Sequence, residues 1–424
     1  MTDSDLDRLV GLAFWTLGVL CLLNATGLAD MGLGPTRAAS ALTLLCCVLA
    51  LAGLLRTGPR EALGVPGLLL LACLLSYVGV GIVVAILTGT ESLAMRYLKD
   101  GLFSILVITA AAVGGRVAWR RLGGERVLMG VLLILAASCT LMLASPWLWE
   151  IIPNPPREGV YRFFAPYANP NQAAVIASFT VVTAMAFLRS GRHQVLMYGV
   201  LLVGVVAVVG TISRTAIIAL PIVLLSALFS ARGAQRRRLL AALAIVAVVG
   251  TGVAMNIGVG MLAEPQIARF RTLTELVPPV VINDVSLAGR ISLFELGLDQ
   301  TLESPLVGSG LGHLHHLDEA WYNEHGSLMG VHNQYLVLIG EAGVLPLILF
   351  VSFLVVAVHA GFRSERGWPL GAVSGCAVVL SLFSLASQSL LLHWEVNFII
   401  GLSCAVMTGY LADQRELAGA IPAS

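Results

Sequence analysis

Charge is scarce in this chain of 424 residues. Charged residues make up 12% of the sequence, about half of the roughly 25% typical of soluble domains. Hydrophobic residues make up 58%, and the mean hydropathy is +0.90. The net charge is +1 and the arginines are dispersed through short segments, so no basic patch is available for nucleic acid. These figures exclude a soluble globular protein and a nucleic-acid partner.

The sequence shows no cysteine pattern typical of disulfides or metal sites, and its first residues do not resemble a cationic signal peptide. All seven cysteines lie within apolar runs, where a thiol acts as a small hydrophobic group. Their spacing matches neither a disulfide framework nor a metal site. Before the first apolar run, Asp3, Asp5 and Asp7 outnumber Arg8, which is the reverse of a signal peptide. We therefore interpret that run as a retained first helix.

Apolar runs of about 20 residues recur along the whole chain, and each such run is long enough to cross a bilayer as a helix. They predict an all-α polytopic membrane protein with about twelve transmembrane helices, in which residues 1–424 form one integral membrane domain. Two of the runs are long enough to tilt or to break at Gly and Pro. The predicted spans are 9–28, 38–55, 65–87, 100–115, 127–145, 171–188, 195–210, 214–230, 239–260, 334–359, 370–390 and 396–412.

The distribution of arginine and lysine predicts the orientation. If the N-terminus is cytoplasmic, sixteen of the 25 basic residues fall on the cytoplasmic side, mostly in short loops, and nine fall outside. Both termini are therefore predicted to be cytoplasmic. Two longer segments then face outward. Residues 146–170 form a loop rich in aromatic residues, and residues 261–333 form a large loop between helices nine and ten. We expect the second loop to fold as a cap with helical pieces such as Ile291–Thr301.

A histidine, His332, opens a hydrophobic run where that run should leave water, and several other short motifs accompany it. Together these motifs resemble the O-antigen ligase and O-antigen polymerase superfamily over roughly residues 160–360. In chain order they are Asn169-Pro170-Asn171, Ser213-Arg214-Thr215, Gly289-Arg290 with an amphipathic helix, the glycine-containing segment from Pro305 to Gly312, and His332-Asn333 continuing to Glu341-Ala342-Gly343.

The resemblance implies a bacterial inner-membrane enzyme that acts on the periplasmic face without a metal or cofactor. It would transfer a glycan from an undecaprenyl-diphosphate carrier to an acceptor hydroxyl. The favoured interpretation is an O-antigen ligase with lipid A core as acceptor, and the alternatives are a polymerase that extends a growing glycan and a protein O-oligosaccharyltransferase. The catalytic role falls on His332, and donor binding falls on Arg214 and Arg290. Arg162 and Asn333 are further substrate-binding candidates, although an anchor at the membrane interface is the preferred interpretation of Arg162.

Elementary chemistry agrees with these roles. A sugar diphosphate is already activated, so the enzyme has to neutralise the leaving diphosphate and take a proton from the attacking hydroxyl. Guanidinium groups bind phosphate through paired hydrogen bonds. An imidazole at a membrane surface accepts a proton near neutral pH. Direct displacement would invert the anomeric centre, which predicts a metal-independent inverting glycosyltransferase.

Structural roles remain open for several of these residues. His332 is equally interpretable as a helix cap or an interface anchor. Arg214 has a snorkelling alternative, and Arg290 has a local ion pair as its alternative. Glu341 either orients polar groups at the site or is a buried structural carboxyl. For Asn169, N-capping of a helix is favoured over contact with a ligand.

Other functions stay open, one within the same family and two from other classes. Ligases of the family follow His-Asn with nine residues, Gly, two residues, and then Gly, Thr or Tyr, whereas Pro346 holds the last position here, which favours a polymerase or another transferase of the family. The His313–His325 cluster offers zinc ligands without a known spacing. A lipid-glycan transporter would place charged residues near the midplane of the bilayer, whereas the charged residues of this chain crowd the outer face. The glycines between 308 and 312 favour a tight turn over a phosphate cradle.

Overall fold

The computed structural model describes residues 3–28, 36–145, 166–167, 169–229, 231, 233–257, 285–317, 330–363 and 368–419, and within these ranges all regular secondary structure is helical. Short helical turns at Ala25–Leu28, His313–His315 and Leu390–Leu392 supplement the longer helices. We label the longer helices α1 Asp3–Leu22, α2 Thr36–Thr57, α3 Pro59–Thr88, α4 Glu91–Leu122, α5 Gly124–Leu143, α6 Pro170–Ser190, α7 Gln194–Gly210, α8 Arg214–Phe229, α9 Ala234–Ile257, α10 Val285–Glu303, α11 Gln334–Ala342, α12 Val344–Arg363, α13 Trp368–Ser384 and α14 Trp394–Gly419.

Each predicted span overlaps at least one of these helices, and the span 334–359 overlaps both α11 and α12. Seven of them, α2 to α6, α12 and α14, contain segments long and apolar enough to cross a membrane. Three more, α7, α8 and α13, are apolar but only 16 or 17 residues long. The helices are consistent with a polytopic membrane protein, while the count of twelve crossings stays a prediction. Of the predicted outer loops, residues 146–165, 168, 261–284 and 318–329 lie outside the described ranges, and α10 contains the predicted helical piece.

The long predicted run 334–359 is broken at Gly343. This residue has a φ of 81°, a conformation that residues with a side chain rarely adopt. A Cβ placed on Gly343 would also overlap the carbonyl of Leu306. The backbone therefore turns between α11 and α12, as expected for a run of this length. A second interruption of helical geometry lies in α3, where Gly64 has a φ of 62° two residues before Pro66.

Small residues allow the helices to approach closely. A Cβ on Gly401 of α14 would overlap the carbonyl of Ile108 in α4, and one on Gly115 of α4 would lie 2.9 Å from Cβ of Ala405. Such small-residue contacts are typical of helix packing in membranes. Helix α6 is buried from Gln172 to Arg189 and packs against α5, α7, α8 and α13. It therefore forms the centre of one half of the bundle.

Ion pairs gather at one end of the bundle. Arg56 and Arg121 approach the carboxylate of Asp7 at 3.3 and 3.8 Å, and Arg120 pairs with Glu61. A further exposed pair joins Arg192 and Glu125. Exposed pairs of this kind add little stability. They show, however, that segments predicted to share the cytoplasmic side do lie at the same end of the molecule.

Candidate active site at the opposite end of the bundle

His332 directly precedes the first turn of α11. Asn333 caps this helix, because its Oδ1 accepts hydrogen bonds from the backbone N–H groups of Tyr335 at 3.0 Å and Leu336 at 3.1 Å. The Asn333 side chain is buried by this role, with 9% exposure. Its predicted contact with substrate therefore stays a prediction, and capping explains why asparagine follows His332.

Helix α10 packs against the segment that carries His332. Arg290, Gly297 and Thr301 share one face of α10, since they are seven and four residues apart. A Cβ on Gly297 would overlap the side chain of Val331, the residue before His332. One on Gly340 of α11 would lie 2.6 Å from Oγ1 of Thr301. The face of α10 that carries Arg290 thus lies against α11 and the His332 segment.

Two features of its surroundings affect the pKa of His332, namely its partial burial and the guanidinium of Arg290. Desolvation by burial, and then the positive charge of Arg290, lower the pKa of His332 from its ordinary value to about 4. This pKa is lower than the near-neutral value expected from the sequence. The imidazole is consequently neutral at physiological pH, which is the form able to accept a proton, but without substrate it is a weak base.

Arg214 begins α8 beside the start of α6. Ser213 donates a hydrogen bond from its Oγ to Oδ1 of Asn171 at 2.8 Å, so two of the motifs recognised in the sequence are in contact. Asn169 caps α6 by accepting from the backbone N–H of Gln172 at 2.9 Å, which confirms the predicted capping role. Arg214 is thereby held half-buried at the end of the most buried helix.

Further contacts connect these helix ends. Gln172 hydrogen-bonds the buried Glu395 at the start of α14. The backbone N–H of Leu391, just before α14, donates to Oε1 of Gln334 in α11 at 3.4 Å. The first turns of α6, α8, α11 and α14 therefore lie at the end of the bundle away from the ion pairs. Arg162, the remaining candidate, lies outside the described residues.

A buried carboxylate, Glu341, lies below this end. It has no exposed surface. Its Oε1 accepts from the backbone N–H of Leu314 at 2.9 Å and from Nδ1 of His315 at 2.8 Å. Its Oε2 accepts from the hydroxyl of Tyr77 in α3 at 2.6 Å. Glu341 stands out in the sequence because an ionisable residue within an apolar run is unusual, but no sequence pattern indicates Tyr77 as its partner.

The glycines between α10 and α11 form a tight turn, as predicted. Gly308, Gly310 and Gly312 have φ values of 75°, 108° and 85°. The backbone N–H of Gly310 donates to the carbonyl of Glu341 at 3.1 Å, and that of Leu311 donates to the carbonyl of Gly81 at 2.9 Å. These N–H groups are used within the protein, so the segment is no phosphate cradle.

The alternative zinc cluster is only partly described. Among the residues that the structure describes, no three His, Cys, Asp or Glu side chains are close enough to hold one metal ion. His315 directs Nδ1 to Glu341. The remaining members, Asp318, Glu319, Glu324 and His325, lie outside the described residues.

Residues 198–351 match the family model described as O-antigen ligase. The matched segment contains Arg214, Arg290 and His332, and it confirms the resemblance to the O-antigen ligase and polymerase superfamily. Members of this family are glycosyltransferase-like enzymes whose partners are a lipid-linked glycan and an acceptor. No curated protein matches the chain.

Proposed function

We propose that this protein is an O-antigen ligase, which transfers a glycan from undecaprenyl diphosphate to a hydroxyl of lipid A core at the periplasmic face of the bacterial inner membrane. The observation that carries the proposal is the packing of α10, which brings the positive charge of Arg290 to the imidazole of His332 inside the segment that matches the family. A transferase acting on a sugar diphosphate needs this combination of a cation and a proton acceptor.

In the proposed reaction, the acceptor oxygen attacks the anomeric carbon of the donor sugar. The bond between that carbon and the diphosphate oxygen breaks, and its electron pair leaves with the diphosphate. Arg290 and Arg214 neutralise the leaving group through paired hydrogen bonds. His332 accepts the hydroxyl proton. Because attack and departure occur on opposite faces of the sugar, the configuration at the anomeric carbon is inverted.

The low pKa of His332 fits this order of events. In the free protein, burial and the charge of Arg290 together disfavour the imidazolium. A diphosphate bound by Arg290 supplies negative charge that offsets the guanidinium, so the pKa of His332 rises when the donor is in place. The base is therefore strengthened by its own substrate, and the free protein keeps a neutral imidazole ready for it.

A polymerase of the same superfamily is the second candidate, and Pro346 is the observation that favours it. Pro346 lies in the first turn of α12, where a residue without an N–H is tolerated, and its carbonyl accepts from Sγ of Cys73 at 3.2 Å. Because Pro346 departs from the ligase pattern, it favours a polymerase, whose acceptor is a growing glycan. A protein O-oligosaccharyltransferase, whose acceptor is a protein hydroxyl, is a further candidate.

A deletion strain separates these candidates. Loss of a ligase leaves carrier-linked polymer and lipid A core without long glycans, whereas loss of a polymerase leaves single repeat units on the carrier. A transporter defect would instead trap carrier-linked glycan on the cytoplasmic leaflet. Complementation with wild-type protein should restore the product, and His332→Ala should not. Accumulation of single repeat units would replace the ligase proposal with the polymerase.

A further inference from the structure

Two hydrogen bonds, both made by the backbone of Leu314, connect the buried carboxylate of Glu341 with the segment that carries His332. The backbone N–H of Leu314 donates to Oε1 of Glu341 at 2.9 Å. The carbonyl of the same Leu314 accepts from the backbone N–H of Val331 at 3.0 Å. Val331 is the residue before His332 and the one on which Gly297 of α10 packs. The carboxylate therefore holds the strip of chain on which the His332 segment rests.

The fit between these two segments is tight. A Cβ on Gly330 would lie 2.5 Å from the carbonyl oxygen of Leu314 and 2.6 Å from Cα of His315. The turn that precedes Leu314 is also bonded to α11, since Ser309 donates its backbone N–H to the carbonyl of Gly340 at 2.8 Å. A shift of Leu314 would consequently be passed on to Val331 and His332, because no free space separates them.

Burial of the Glu341 carboxylate costs free energy, because a charge is removed from water. A fully buried charge is tolerated only when donors satisfy it, and well-packed apolar residues in its place are often neutral or stabilising. The donors to Glu341 include the backbone N–H of Leu314, the ring of His315 and the hydroxyl of Tyr77. An ionised carboxylate only accepts, so the Nδ1 of His315 carries the proton. The segment 314–315 and helix α3 thus converge on one side chain of α11.

We propose that Glu341 is a positioning residue, which sets the place of His332 relative to Arg290 through Leu314 and Val331. This inference rests on the proposed function, because it assigns a role within the same site. Reacting groups must be held within a fraction of an ångström, and a misplacement of about 1 Å can lower the rate roughly 100-fold. Glu341 itself touches neither His332 nor any described part of the donor site in these contacts.

Two substitutions of Glu341 separate positioning from charge. Glu341→Gln keeps an oxygen at the Oε1 position for Leu314 and His315, and its amide can donate to the hydroxyl oxygen of Tyr77. We expect it to keep kcat within about threefold of wild type. Glu341→Met has a similar size but no acceptor, and we expect it to lower kcat about 10- to 100-fold while donor affinity stays within about twofold. Purified protein would be reconstituted with undecaprenyl-diphosphate-linked glycan and lipid A core.

Tyr77→Phe is the matched control. It removes one hydrogen bond to the same carboxylate, but on the α3 side and at Oε2, away from Leu314. We expect a lower Tm with nearly unchanged kcat. Glu341→Met should in addition shift the acidic limb of the pH dependence of kcat/KM, because His332 would move relative to Arg290. A merely structural role would lower Tm and kcat in step for both variants and leave the pH limb in place.

The outcomes are distinguishable from failure of the proposed function. If His332→Ala retains full activity, the proposed function fails, whatever Glu341 does. If His332→Ala is inactive but Glu341→Met keeps the wild-type kcat and pH limb, the positioning role alone is overturned. Should Glu341→Met not fold, Glu341→Asp is measured in the same way, since its shorter side chain cannot reach both Leu314 and Tyr77, and wild-type kcat there overturns the inference as well.

Discussion

Arg290 and His332 are 42 residues apart and lie on different elements, yet the guanidinium lowers the pKa of the imidazole. Their proximity depends on Gly297, which lets the backbone of α10 reach Val331. Arg290 lies two turns earlier on the same face as Gly297. The electrostatic coupling of this pair therefore depends on how α10 packs over the start of α11. Substitution of either residue is the first test of the proposed chemistry.

Replacing Arg290 with Gln should raise the pKa of His332, because the removal of a positive charge favours the protonated ring. The acidic limb of kcat/KM reports the free enzyme. We expect that limb to move upward from about 4 toward the ordinary value of 6.5, while burial keeps it from reaching that value. Donor affinity should fall as well. Arg192→Gln, at the opposite end of the bundle, is the control, and an unmoved limb would refute the electrostatic coupling.

His332→Ala should abolish transfer, since no other group accepts the hydroxyl proton in the proposed reaction. Expression and donor binding should persist, because the arginines hold the diphosphate. His359→Ala changes an exposed histidine on α12 and serves as the control. Activity would be measured on reconstituted protein with carrier-linked glycan. Turnover at the wild-type rate in His332→Ala would remove the histidine from the mechanism.

Arg214→Lys should bind donor weakly and turn over slowly, because lysine keeps the charge but lacks the planar fork that matches a diphosphate. Arg214→Ala should be worse than the lysine variant. Donor affinity and kcat are the two measurements. If both variants retain wild-type values, Arg214 is an interface anchor, and the diphosphate site has to be sought around Arg290 and Arg162.

Transfer should survive exhaustive treatment with EDTA, because arginines stabilise the leaving diphosphate in the proposed reaction. The measurement is the initial rate of purified protein before and after chelation. Loss of activity on chelation, followed by rescue with zinc, would instead favour the cluster from His313 to His325 and a metal-dependent mechanism.

Gly297→Ala should lower kcat, since its Cβ would overlap the side chain of Val331 and push α10 away from the His332 segment. Overpacking of this kind costs about 1 to 3 kcal/mol. Gly199→Ala in α7 is the matched control, because no atom lies within 4 Å of the added Cβ. Measured side by side, Gly297→Ala should lose activity and Gly199→Ala should keep it. Equal activity would show that α10 does not need this contact.

From the sequence alone we could predict the helical class, the approximate position of most helices and the resemblance to the O-antigen ligase and polymerase superfamily. Apolar runs of spanning length leave little choice in a bilayer, because each backbone polar group has to be satisfied within its own segment. Local rules also predicted the cap at Asn169, and they predicted that the long run 334–359 would tilt or break at a Gly or Pro; the structure has the break at Gly343. The candidate residues Arg214, Arg290 and His332 came from motifs whose order along the chain is visible without a structure.

Tertiary structure alone decided which of these residues meet. The contact between Gly297 and Val331, the bond between Ser213 and Asn171, and the convergence of Tyr77 on Glu341 all join residues far apart in sequence. Periodicity describes which face of a helix is apolar, but it carries no information on which helix covers that face. The low pKa of His332 likewise required the fold, because burial and the position of a charge on another helix cause it.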